Sequence, residues 1–99
     1  MPSFPKLTAT EIEASLRPLK GWSVEKKKLH REYKFKDFIH AFGFMATAAI
    51  AIEKVNHHPE WSNVYGTVKI DLITHDSKGI TQADVDLART LEAIAKKLI

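Results

Sequence analysis

The first residues of the chain follow a helical pattern. Thr8 and Glu11 have the spacing of a capping box, in which a threonine hydroxyl and a glutamate carboxylate bind backbone N–H groups at a helix start. The apolar positions that follow recur three and four residues apart, and Pro18 predicts that the helix ends near Arg17. Residues 1–6 precede this pattern and are expected to be flexible.

Strict alternation replaces the helical period from Trp22 onwards. Trp22 and Val24 alternate with polar neighbours, and Tyr33 and Phe35 do the same further along. Side chains two residues apart lie on the same face of a strand, so each segment predicts a strand with one buried face. The lysines at 26–28 separate the two segments and predict a solvated turn, which makes the pair a β-hairpin.

A long helical period then runs from about Lys36 to about His57. Pro59 is expected to end this helix, because proline disfavours the α conformation at the residue before it. At about 100° per residue the apolar arc covers roughly 260°, much more than the roughly 100° that a surface helix needs to face its own core. Part of the arc is therefore predicted to stay exposed in the monomer and to pair with a second copy. The predicted exposed residues are Ala41, Phe44, Ala48 and Ala51.

Alternation resumes from Val64 to Thr74, where Gly66 is expected to turn the chain between a short strand and a long one. Thr81 and Asp84 repeat the capping-box pattern and predict a third helix. The predicted order is αββαββα, without a long parallel crossover between strands. It favours one α+β domain over residues 1–99, with a four-stranded antiparallel sheet and three helices packed on one face.

The composition is that of an ordinary soluble globular protein, with 99 residues of which 44% are hydrophobic and 27% charged. No apolar run approaches the roughly 20 residues that span a bilayer, so no membrane contact and a cytoplasmic location are expected. The chain has no cysteine, which excludes disulfides and thiolate metal sites. Its net charge is only +3 and its basic residues cluster only at 26–28, so direct nucleic-acid binding is not expected.

Histidine placement gives the first indication of chemistry. Three of the five histidines lie at predicted element ends: His57 and His58 close the long helix, and His75 follows the last strand. Imidazole exchanges protons near neutral pH, and loops held by rigid elements are where function concentrates. The alternative is that histidines at a helix end only complement the negative end of the helix dipole.

Glu53 favours the chemical interpretation. It lies four residues before His57 on the same helical face, where its carboxylate is predicted to accept a ring proton and orient the imidazole. The alternative is an ion pair between Glu53 and a lysine at the rim. Trp61 and Tyr65 follow the histidine pair and are placed to form the wall of a pocket for a flat ring, although such aromatics are more often core packing.

Two other kinds of site remain open. The three histidines with Asp76 or Glu60 form a candidate metal site, but His57 and His58 would point about 100° apart on a helix. A serine nucleophile is a weaker alternative, because neither serine near the histidines lies in a strand–turn–helix elbow. Acid–base chemistry on imidazoles is therefore the favoured interpretation, with no metal.

These residues resemble the pterin-4a-carbinolamine dehydratase family, and the resemblance covers nearly the whole chain. Its most specific part is the ExxxHHPxW stretch with a later histidine–aspartate pair. The matching segments are Gly21-Trp22, Phe35 to Phe38, Ala41 to Met45, Glu53 to Trp61, Asn63 to Tyr65, Thr74 to Asp76, Gly79, and Thr81 to Asp84.

The resemblance implies dehydration of a 4a-hydroxytetrahydropterin to quinonoid dihydropterin, which recycles the cofactor of aromatic amino-acid hydroxylases. It implies no metal or organic cofactor, and it implies assembly into dimers or tetramers. Animal members also act as dimerisation cofactors of a homeodomain transcription factor. The alternative to an enzyme is therefore a non-catalytic interaction module that stabilises a partner helix.

The resemblance also assigns residues by position. It makes His57, His58 and His75 the three pocket histidines, with Glu53 and Asp84 as acidic residues that support the site. Because the implied dehydration needs two proton-transfer groups, we expect His57 to be the general acid, oriented by Glu53, and His75 to be a second acid–base group. His58 is expected to grip the pterin. The implied substrate contacts are those three histidines with Asn56, Pro59, Trp61, Ile73, Thr74, Asp76 and Asp84.

Overall fold

A computed structural model describes residues 4–99, and these residues form the predicted order of elements. The helices are α1 (Ala9–Leu16), α2 (Phe38–Val55) and α3 (Gln82–Leu98), and a short 3-10 turn at His75–Ser77 precedes α3. The strands are β1 (Ser23–Glu25), β2 (Lys28–Lys34), β3 (Glu60–Val64) and β4 (Thr67–Leu72). The αββαββα order and the α+β class are confirmed.

The described part of the N-terminal segment contacts the start of α3. Lys6 forms a β-bridge with Thr81, and the Leu7 N–H donates to the carbonyl of Ile80 at 2.9 Å. The Ser77 hydroxyl donates to the carbonyl of Phe4. The flexibility expected for residues 1–6 falls partly on residues 1–3, which lie outside the described residues.

All four strands pair antiparallel in the order β1-β2-β4-β3. The register of the central pair places Leu29 opposite Leu72 and Tyr33 opposite Val68, and all four side chains are buried. Because directly opposed residues share a face, the apolar positions of both strands line one side of the sheet. Strand β3 begins at Glu60, earlier than the predicted Val64.

The helices cover this apolar face. The buried residues of α2 are Ala41, Phe44, Ala48 and Ile52, and the buried apolar residues of α3 are Val85, Leu87, Ala88, Leu91 and Ala95. Partly buried Ile12 and Leu16 of α1 pack against the same core. The opposite face of the sheet carries polar and charged side chains, namely Lys28, His30, Glu32 and Lys34 of β2 and Thr67, Lys69 and Asp71 of β4.

Helix α2 ends earlier than predicted. Its last residue is Val55, and Asn56 caps it in the left-handed conformation with φ 51°. Asparagine adopts this conformation more readily than most residues, and its N–H here donates to the carbonyl of Glu53. His57 and His58 therefore lie outside the helix, and Pro59 is not what ends it.

The exposed face of α2 differs from the prediction. Ala41, Phe44 and Ala48 are fully buried in the monomer, because they face the sheet and α3. The exposed apolar residues lie on the opposite side and include Phe38, Ile39, Phe42 and Ile50, with exposed fractions of 51%, 78%, 56% and 75%. The prediction that one part of the arc stays uncovered is correct, but it is wrong for Ala41, Phe44 and Ala48, and Ala51 is half-buried. Periodicity alone does not tell which half of a wide arc meets the core.

By length and composition alone, α2 is apolar enough to cross a membrane. In the structure it lies on the sheet of a compact domain whose radius of gyration is 13.1 Å, as expected for about 100 residues. Its apolar character is divided between a core face and an exposed face. The arrangement is consistent with a soluble protein.

Candidate active site

A buried carboxylate holds the first of the three histidines. The ring of His57 is 20% exposed, and its Nε2 lies 2.6 Å from Oδ1 of Asp84, which is fully buried. Asp84 is the third residue of α3 and part of the capping box with Thr81. The local interaction that starts α3 therefore also places a carboxylate against His57.

Asp84 accepts hydrogen bonds on both oxygens. Its Oδ2 accepts from the Thr81 N–H and from the Thr74 hydroxyl, both at 2.9 Å. The two threonine hydroxyls are 2.7 Å apart, so Thr81 donates to Thr74, which donates to Asp84. The other partners of Asp84 are all hydrogen-bond donors, so its carboxylate acts as an acceptor. His57 Nε2 therefore donates to it as well. This contact fixes the ring and leaves Nδ1 as the ring nitrogen that is not bonded to Asp84.

The predicted contact between Glu53 and His57 is wrong. Glu53 Oε1 lies 2.7 Å from Nε2 of His58, and both side chains are largely exposed. The i, i+4 geometry requires both residues to be helical, but α2 ends at Val55 and the cap at Asn56 turns the chain away. Glu53 therefore acts on His58, and Asp84 orients His57.

His75 has a third carboxylate partner. Its Nε2 lies 3.1 Å from Oε2 of Glu60, at the start of β3, and its side chain is 73% exposed. The other oxygen of Glu60 lies 2.5 Å from Nζ of Lys28. The hydrogen bond from Lys28 holds the pKa of Glu60 below its usual value, and the same bond raises the pKa of Lys28.

A cavity of about 750 Å³ opens between the C-terminal end of α2 and the N-terminal half of α3. Four predicted site residues line it: Asn56, His57, Thr74 and Asp76. The other lining residues are Phe4, Ala51, Lys54, Val55, Ala83, Asp86, Leu87 and Thr90. The wall thus combines apolar surface with a few polar groups, as small-molecule sites do.

Other predicted site residues lie outside this wall. His58, His75 and Glu53 are exposed and do not line the cavity, and Trp61 packs partly buried against the core. Pro59 and Ile73 are half-buried in the segments on either side of the site. Asp84 is fully buried and contacts His57.

Sequence reasoning missed the α3 side of the cavity. Ala83, Leu87 and Thr90 recur at spacings of four and three, so they share one helical face. From the sequence alone, that spacing predicts only core packing, because the cavity beside α3 forms only in the folded chain. No sequence pattern marks Phe4 as a site residue, because its position depends on the hydrogen bond that its carbonyl accepts from Ser77.

Each site histidine is paired with its own carboxylate, at 2.6 Å for His57, 2.7 Å for His58 and 3.1 Å for His75. Within residues 4–99, no three histidine, aspartate or glutamate side chains are arranged to hold a metal ion. The arrangement that the structure does show is a set of carboxylate–imidazole pairs, which suits proton transfer.

Comparison with known proteins gives a consistent result. The chain matches the family model described as Pterin 4 alpha carbinolamine dehydratase over residues 5–94. A Solibacter usitatus protein named pterin-4-alpha-carbinolamine dehydratase is 58% identical over 90 residues, covering 91% of this chain and 95% of that protein. A Rhodopseudomonas palustris protein of the same name is 50% identical over 95 residues, covering 94% of each. A crystal structure from Brucella melitensis, described as transcriptional coactivator/pterin dehydratase, is 47% identical with a TM-score of 0.88, covering 91% of this chain and 98% of that one.

Proposed function

The chain belongs to the pterin-4a-carbinolamine dehydratase family, and on this premise we propose that it dehydrates a 4a-hydroxytetrahydropterin in the cavity beside His57. It is an enzyme of the hydro-lyase class. The observation that carries the assignment of the site is the His57–Asp84 pair, in which a buried carboxylate fixes an imidazole at the wall of a cavity. Cavities of this size suit a small bicyclic ligand.

The reaction needs two proton transfers. The bond between C4a and the hydroxyl oxygen breaks, and the hydroxyl leaves as water once it has accepted a proton. The lone pair of the neighbouring ring nitrogen forms the new double bond to C4a, and that nitrogen loses its proton. One group must therefore act as an acid and another as a base, and each such group typically contributes a factor of about 10² to 10⁴.

His57 is the proposed general acid. Its Nε2 donates to Asp84, so the proton for the leaving hydroxyl comes from Nδ1. When Nδ1 is protonated the ring is a cation, and the buried carboxylate stabilises that form. Asp84 is thus a positioning and electrostatic residue, and the acid–base step belongs to the imidazole.

His75 and His58 are assigned to the rim of the cavity. His75 stands in sequence between Thr74 and Asp76, which both line the cavity, and we assign it the second proton transfer. His58 is exposed and paired with Glu53, and we assign it to gripping the pterin ring. Both assignments rest on position beside the cavity wall.

The direct test is a spectroscopic assay of dehydration. Purified protein is mixed with a freshly generated 4a-hydroxytetrahydropterin, and formation of quinonoid dihydropterin is followed by absorbance. The proposal predicts a rate that rises with protein concentration above the spontaneous rate. A rate equal to the spontaneous one at every protein concentration would contradict it.

Removal of metal is expected to leave the activity unchanged. A carbinolamine is already activated by its ring nitrogen, so imidazole acid–base groups need no Lewis acid. The check is turnover before and after dialysis against a chelator, with elemental analysis of the same sample. Stoichiometric zinc together with loss of turnover on its removal would overturn this expectation.

A second candidate function is a binding module that uses α2. The observation that favours it is the exposed apolar face, where the rings of Phe38 and Phe42 lie 5.6 Å apart between centroids. Exposed apolar patches of this kind mark interfaces, and a second copy of this chain is the simplest occupant, since one helix face then covers its own copy. This function is compatible with catalysis, because the cavity lies elsewhere on α2.

Phe42→Lys combined with Ile50→Glu is expected to convert an assembled protein to monomers. Both side chains are more than half exposed, so the charges disturb the interface and leave the core intact. Sedimentation reports the assembly and circular dichroism the helix. The matched control is Thr47→Lys, an exposed residue outside the apolar face. Wild-type protein that sediments as a monomer at micromolar concentration would refute the interface.

A further inference from the structure

Glu60 connects the two segments that carry the proposed catalytic histidines. It follows the segment from His57 to Pro59 directly and opens β3, and its carboxylate contacts His75, which comes after β4. Its neighbour Trp61 packs against the core, so by strand alternation Glu60 faces the open side of the sheet. Among residues 4–99, Glu60 is the only carboxylate in contact with His75.

Lys28 reaches Glu60 across the sheet. In an antiparallel sheet the first residues of β2 and β3 and the last residues of β4 meet at the same end. Lys28 opens β2 there, and its Nζ lies 2.5 Å from Oε1 of Glu60, while His75 Nε2 lies 3.1 Å from Oε2. The two carboxylate oxygens are thus held by different nitrogen groups, one from β2 and one from the turn after β4.

Lys28 restricts the Glu60 side chain and so affects how Glu60 holds His75. A glutamate at an exposed strand start has several rotamers, and a second contact on its other oxygen restricts them. Lys28 also keeps the carboxylate charged, since it lowers the pKa of Glu60, and its own ammonium faces Asp71 as well. Asp71 in turn is paired with His30 at 2.8 Å, so it does not compete for His75.

We propose that Lys28 and Glu60 are positioning residues for His75: Lys28 fixes the Glu60 side chain, and Glu60 fixes the His75 ring at the rim of the cavity. The proposal rests on the proposed function, because the dehydration reaction is what assigns a proton transfer to His75. Exposed ion pairs contribute little to folding stability. We therefore expect substitution of Lys28 to change the rate of catalysis and to leave the free energy of unfolding nearly unchanged.

The kinetic test is Lys28→Met. We expect kcat to fall by about three- to tenfold with KM within about twofold, because a mobile imidazole is less often in reacting geometry. Lys28→Arg restores most of the loss, and the matched control Lys27→Met, in the hairpin turn directly before Lys28, has the wild-type kcat. In a His75→Ala background, Lys28→Met has no further effect. A wild-type kcat for Lys28→Met, or an equal loss in the His75→Ala background, overturns the proposal.

A second measurement does not depend on turnover. The ring nitrogen resonances of His75, followed by NMR in ligand-free protein, are expected to change in Lys28→Met and to stay constant in Lys27→Met. Unchanged resonances in Lys28→Met also overturn the proposal. If wild-type protein shows no dehydration while the resonances change as expected, the proposed function fails and the Lys28–Glu60–His75 contact stands.

Discussion

Replacing His57 with alanine is expected to lower kcat for dehydration by about 10²- to 10⁴-fold, the contribution typical of one positioned acid–base group. The side chain is at the cavity wall and its Nε2 is committed to Asp84, so no neighbouring group replaces Nδ1. The fold is expected to survive, because Asp84 keeps its bonds to Thr74 and Thr81. Stopped-flow absorbance gives kcat, and circular dichroism checks the fold.

His40→Ala is the matched control for this variant. His40 is also paired with an aspartate, Asp37, at 2.6 Å, but it lies on the first turn of α2, at the end opposite the cavity. It is expected to have the wild-type kcat. A folded His57→Ala enzyme with the wild-type kcat would remove His57 from the mechanism.

Asp84→Ala is expected to reduce the free energy of unfolding by about 2–4 kcal/mol, because it leaves the buried Thr81 N–H and Thr74 hydroxyl without their acceptor. It is also expected to lower kcat by about 10²-fold or more, since the His57 ring loses the group that sets its tautomer. Urea unfolding and the dehydration assay measure the two effects on one preparation.

Two further variants separate the structural role of Asp84 from the catalytic one. Asp84→Asn keeps an acceptor for the α3 cap but loses the charge facing His57, so we expect a smaller loss of stability with a comparable loss of kcat. Glu11→Ala removes the corresponding capping residue of α1, which is exposed, and is expected to cost about 1 kcal/mol with no change in kcat. A folded Asp84→Asn variant with full activity would contradict the role of Asp84.

Local sequence signals predicted the elements well. The capping boxes at Thr8 and Thr81 start α1 and α3 as expected, and the turn between β1 and β2 lies at Lys26 and Lys27, whose positive φ values suit a tight hairpin. These signals succeed because each depends on residues within one turn of the chain. The end of α2 differs from the prediction because hydrophobic periodicity does not mark Asn56, one residue before the expected end, as a left-handed cap.

The partner of His57 was not predictable from periodicity. Asp84 is 27 residues away in sequence, and the contact exists only because α3 packs against α2. Glu53 lies one helical turn before His57 on the predicted helical face, so a local argument selected it. The same limit applies to Lys28 and Glu60, which lie on strands separated by β4 and meet only in the folded sheet.

The exposed face of α2 shows a different limit. Hydrophobic periodicity detected an arc too wide for one core, but it assigned Phe44 and Ala48 to the exposed side. Both halves of the arc are apolar, so the choice depends on which half meets the sheet. That choice is made by tertiary packing, here by contacts of α2 with α3 and with strands β3 and β4.

A crystal structure with a bound dihydropterin tests the central claim most directly. The account predicts that the bicyclic ring occupies the cavity between α2 and α3, with C4a placed so that a hydroxyl on it would lie about 2.6–3.2 Å from Nδ1 of His57. His57 Nε2 should remain bonded to Asp84 in the complex. A ring bound elsewhere, or a His57 whose Nδ1 points away from C4a, would contradict the account.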